Sequence, residues 1–105
     1  MDRQTGATFG PHIGSAFRVV EHEARDGDAT LAEVTLTLAE VRDLGSHPKA
    51  PRGDPFTLEF LGPRAPILAQ QIHRLEHQQL GTLDIFLVPI AEDVSGGIRY
   101  EAVFN

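Results

Sequence analysis

The chain has 105 residues and a formal charge of −6, with 41% of its residues hydrophobic and 23% charged. That length holds one small domain and no second core, and a chain this size buries only about 60–70% of the surface its unfolded form exposes, so most apolar positions are needed inside. The absence of cysteine removes disulfides, thiol nucleophiles and cysteine-ligated metals, and the negative charge repels phosphate backbones, which argues against nucleic-acid partners.

Residues 1–14 hold Gly6, Gly10, Pro11 and Gly14 with little apolar periodicity, a pattern that predicts a flexible arm ahead of a single β domain over 15–105. The opening Met1-Asp2-Arg3-Gln4-Thr5-Gly6 lacks the apolar stretch of a signal peptide, and nothing resembles a transmembrane span; a cytoplasmic location and no membrane partner are expected. A first strand is predicted at Ala16–Glu21, with Phe17 and Val19 on one face and Arg18 on the other. Asp26-Gly27-Asp28 marks a turn. From Leu31 to Leu44 the residues Val34, Leu36 and Leu38 share a face, and two threonines on the other favour a strand. The parity changes after Leu38, which predicts a bulge near Ala39-Glu40. The stretch 45–55 carries three prolines and two glycines and reads as a surface loop, whose His47, Pro48, Pro51 and Arg52 are candidate interaction residues.

Phe56, Leu58 and Phe60 alternate cleanly up to Gly62-Pro63, predicting a strand. The segment 66–80 reads two ways, as a helix opened by Pro66 and capped by Gly81, or as a strand over 71–77 followed by a tight turn. Leu83–Ile90 is nearly continuous in apolar character, so a central strand covered on both faces and ended by Pro89 is expected. Turn residues from Ala91 to Gly97 then lead to a last strand with Ile98, Tyr100, Ala102 and Phe104 on one face. The sum is an all-β fold, a small antiparallel barrel or sandwich of five to six strands.

The runs Pro55–Pro63, His73-Arg74-Leu75-Glu76-His77, Leu80-Gly81, Phe86–Ile90 and Tyr100–Asn105 resemble those of a family of short, uncharacterised bacterial proteins, a domain of unknown function. The resemblance covers most of the chain from about Phe17 and implies a β-rich domain without a mechanism. Its members are similar to small proteins found beside phage-tail-like or tail-collar proteins. In relatives a Pro-Gln-Gly-type turn precedes a strand ending in the Arg-Leu-Glu-His run, which implies a strand at 71–77; Gln71 stands where that glycine is expected, which keeps the helical reading open.

His73-Arg74-Leu75-Glu76-His77 also matches the His-x-x-Glu-His pattern of inverzincin metallopeptidases. That chemistry requires both histidines on one helix face, with Glu76 as general base and a third ligand, such as Asp84, Glu92, Asp93 or Glu101, from elsewhere. On a strand the Cβ atoms of His73 and His77 lie about 13 Å apart, at roughly 3.3 Å of rise per residue, too far for one ion. Here His77 is expected as a structural histidine at the turn Gln78–Gly81, satisfying loop carbonyls near the core. His22, between Glu21 and Glu23, reads as a charged strand end. No acid pair has glycosidase spacing, Ser15, Ser46 and Ser95 lie outside any Gly-x-Ser-x-Gly elbow, and no phosphate-binding glycine motif occurs. No cofactor is implied. The favoured expectation is therefore a non-enzymatic structural or protein-interaction module that binds protein subunits, self or hetero, by edge pairing or by outward apolar side chains such as Leu61 and Val103, in the manner of a phage-tail-like assembly component. The alternatives are a small ligand-binding β-barrel with Phe56 and Tyr100 at its mouth, and a zinc-dependent hydrolase built on His73, Glu76 and His77.

Overall fold

The computed structural model describes residues 6–21, 34–43 and 55–104. The expected turn at Asp26–Asp28, His22, and the loop residues His47, Pro48, Pro51 and Arg52 lie outside them.

Six strands form: β1 (Ala16–Glu21), β2 (Val34–Asp43), β3 (Phe56–Gly62), β4 (Gln71–His77), β5 (Gly81–Glu92) and β6 (Ile98–Phe104). They close into an antiparallel barrel in the order β1-β2-β3-β6-β5-β4, one of the two architectures expected. The period-2 pattern explains the closure. Phe17, Val19, Val34, Leu36, Leu38, Phe56, Leu58 and Phe60 are buried on the inner face while their neighbours turn outward. The parity change in β2 is a register shift between Leu38 and Glu40, as the sequence predicts; it lets the long strand pair with β1 before it and β3 after it. A closed sheet leaves no free edge among the described strands, so edge pairing is removed as a docking mode.

Segment 71–77 is a strand, not a helix. Its inward residues are His73, Leu75 and His77, so hydrophobicity alone under-reports its inner face. β5 differs from expectation in two respects. It is covered on one face only, since Ile85 and Leu87 are buried while Phe86 is 47% exposed. It also runs past Pro89 to Glu92, because the register shift between Pro89 and Ala91 provides the irregular place in the ladder where a residue without an N–H is tolerated.

The order is that of two three-stranded meanders, β1-β2-β3 and β4-β5-β6, set side by side. β3 and β4 are not neighbours, so the link 63–70 must pass over one end of the barrel. Leu68 drops from it into the core. The other end is crossed by the N-terminal segment. A one-turn helix α1 (Gly6–Phe9) and a 3-10 helix (Gly10–His12) lie where β1, β3 and β5 begin and β2, β4 and β6 finish. Phe9, fully buried, packs on Phe56 and Phe104 with ring centroids 6.0 and 5.8 Å away. The expected arm therefore sends Phe9 into the core and docks on its own barrel, while Ala7, Pro11 and Ile13 stay exposed.

Candidate functional site

The two histidines of the His-x-x-Glu-His run sit on the same inner face of β4 but serve opposite ends of the barrel. His73, near the start of β4, is almost fully buried. Its Nε2 lies 2.7 Å from the carbonyl oxygen of Ala69; a carbonyl only accepts, so Nε2 carries the proton. That bond ties the link 63–70 to the strand it feeds, and the Tyr100 hydroxyl accepts from the Leu68 N–H at 2.9 Å beside it. Nδ1 of His73 is buried with no partner.

His77, at the end of β4, is 7% exposed. Its Nδ1 accepts two backbone N–H groups of the following turn, from Gln79 at 3.0 Å and Leu80 at 3.1 Å. With Nδ1 occupied as an acceptor, the ring proton is on Nε2, which donates to Ser15 Oγ at 2.9 Å; Ser15 Oγ in turn donates to the His12 carbonyl. The ring also packs on Phe17 and on the edge of His12, at centroid distances of 4.5 and 4.6 Å. His77 is thus a turn histidine, with one correction: it accepts loop N–H groups instead of satisfying loop carbonyls. Burial, then the charge of His12, hold its pKa below the ordinary value of 6.5, so the neutral ring fits both of its bonds.

Glu76 points the other way. It faces outward and pairs with Arg18 of β1, its direct cross-strand partner. The geometry a zinc hydrolase demands of His73, Glu76 and His77 is therefore missing: two inward rings engaged with separate loops, and a carboxylate on the far side of the sheet. No group of three or more metal-binding side chains comes together among the described residues.

Phe56 and Tyr100, expected to line a ligand mouth, are core residues. Shallow recesses are present among the described residues. One, of about 250 Å³, lies between Ile67 and the β5 irregularity at Pro89–Glu92; another, of about 310 Å³, is rimmed by Arg18, Glu76, His77 and Gly81. The outer face of β4 and β5 is more distinctive. Ile72 and Phe86, direct partners across the two strands, are 64% and 47% exposed, followed along the ladder by the ion pair Arg74–Asp84. Val103 of β6 is also exposed, while Leu61 is half-buried. The Ile72–Phe86 pair was legible in the alternation of 71–77 once that segment is taken as a strand, but a two-sided reading of β5 hides it.

No helix of the described residues is long and apolar enough to cross a membrane. A family model described as Domain of unknown function (DUF6916) matches residues 5–104. No curated protein and no solved structure matches the chain.

Proposed function

Since the chain belongs to the DUF6916 family of domains of unknown function, we propose from its geometry that it is a non-enzymatic structural module that binds protein subunits through its outer surface. The carrying observation is the exposed Ile72–Phe86 pair. An inward-facing ligand site is disfavoured, because the barrel is filled by its own aromatic and aliphatic side chains and closed over at both ends by Phe9 and Leu68. Apolar side chains paired across two strands and left to water are instead an interaction surface, each contributing roughly 1–2 kcal/mol when its remaining exposed part is covered. The neighbouring Arg74–Asp84 pair supplies a polar rim of both signs. Its resemblance to proteins found beside phage-tail-like or tail-collar proteins favours a subunit or accessory of such an assembly, where rigid small domains pack repeatedly.

Light scattering from micromolar concentrations upward tests this with the wild-type chain and the double variant Ile72→Lys/Phe86→Glu. The wild type should self-associate, and the variant should stay monomeric with an unchanged unfolding midpoint. A wild-type chain that remains monomeric throughout, and no less soluble than the variant, overturns self-association through this face.

A further inference from the structure

The outer face of β4 and β5 carries two cross-strand pairs, one row apart. Ile72 and Phe86 form the apolar row; Arg74 and Asp84, directly opposite each other, form the charged one. All four side chains are exposed. Each strand therefore contributes one apolar and one charged group, and the two charges have opposite signs. The next row sets Glu76 opposite Thr82, and Glu76 is paired with Arg18 of β1. The whole chain bears a charge of −6, which keeps copies apart unless the surfaces that meet are locally neutral. This face is neutral, because the charges of both its ion pairs cancel.

We propose, building on the reading of Ile72–Phe86 as a binding surface, that its occupant is a second copy of the chain, turned about a two-fold axis running along the strands between β4 and β5. That axis lays β4 of each copy over β5 of the other, row on row. Ile72 meets Phe86 of the second copy. Arg74 meets Asp84, Asp84 meets Arg74, and the two ion pairs close into a ring of four alternating charges. Glu76 meets Thr82, so the next row brings no like charges together. Twist sets packed sheets about 30° apart, which moves a row about 7 Å from the crossing point by only about 3.5 Å, within reach of an arginine side chain.

Charge selects this axis over the other two-fold arrangement of the same face. An axis across the strands would stack Ile72 on Ile72 and Phe86 on Phe86, but it would lay Asp84 over the half-buried Val88 and cover charges without giving them charged partners. Because the face is matched to itself, pairing uses it up and association stops at two copies. A convex barrel wall lets only a strip about two strands wide touch, so the interface is small and dissociable, and the ring of charges supplies orientation more than affinity.

Sedimentation velocity of the full chain from micromolar concentrations upward tests this with two charge-reversed variants. Arg74→Glu makes the charged row wholly negative, and Asp84→Arg makes it wholly positive. Alone, each should dimerise at least about tenfold more weakly than the wild type, because like charges then meet across the axis. Mixed in equal amounts they should dimerise as the wild type does, because a negative row then meets a positive one; that recovery also shows that both variants are folded. Variants that each dimerise as well as the wild type, a mixture that does not recover although both unfolding midpoints are unchanged, or a wild type that grows beyond two copies would overturn this arrangement and leave Ile72–Phe86 as a binding surface. A wild type that stays monomeric at every concentration would overturn the second copy as occupant, and with it self-association through this face, leaving a different protein to cover it.

Discussion

The two ends of the barrel are closed by the same device on different terms. Each is covered by a non-strand segment that sends one apolar side chain into the core and is tied to one histidine of β4: Leu68 with His73 at one end, Phe9 with His77 at the other. The link 63–70 is fastened on both sides, to β3 and to β4, and its second anchor is the Tyr100 hydroxyl, which does not change charge near neutral pH. The N-terminal segment continues into only one strand, and its side-chain anchor is the ring of His77 alone. Equal burial of a plug side chain thus does not mean equal local stability. What matters is whether the segment can leave without dismantling strands.

Substitutions at the plug residues should separate the two ends. Leu68→Ala leaves a cavity under a segment that cannot depart and should cost about 2–5 kcal/mol of global stability in denaturant unfolding. Phe9→Ala removes a larger side chain but should cost less, about 1–3 kcal/mol, because the segment undocks instead of holding a void open. A greater loss from Phe9→Ala would show that the two ends are equally fixed. Tyr100→Phe should cost about 1–2 kcal/mol by stranding the buried Leu68 N–H, with no dependence on pH between 5 and 8; a pH-dependent loss would make the ends alike. The smallest effect is expected for Glu76→Gln. It breaks an exposed ion pair with Arg18 worth about 0–1 kcal/mol, read as a change of a few degrees at most in the unfolding midpoint, whereas a general base would show its loss in function and not in stability.

Much of the barrel is readable from alternation. β1, β3 and β6 follow from Phe17/Val19, Phe56/Leu58/Phe60 and Ile98/Tyr100/Ala102, and the bulge in β2 from the parity change at Ala39. The plugs are not readable this way. Phe9 is one aromatic residue among glycines, and Leu68 lies between prolines and a strand; neither belongs to a periodic run, because burial there comes from chain topology and not from a repeating backbone geometry. β5 misleads for a related reason. Phe86 and Ile90 look like core residues in a continuous apolar run, and only the curvature of the closed sheet puts them outside. The histidines of β4 were legible as a pair on one face of a strand, and so were their separation and the turn role of His77. What each ring bonds to was not, since the partners Ser15 and Ala69 arrive from the segments closing the two ends.

The closure of both barrel ends turns on which ring nitrogens of His73 and His77 carry protons, and nitrogen NMR of the histidine side chains at neutral pH reads this directly. Both rings should carry a proton on Nε2, His73 donating to Ala69 and His77 to Ser15, with Nδ1 of His77 unprotonated. An Nε2 without a proton on either ring, or a proton on Nδ1 of His77, would contradict the assignment of that ring to its end of the barrel.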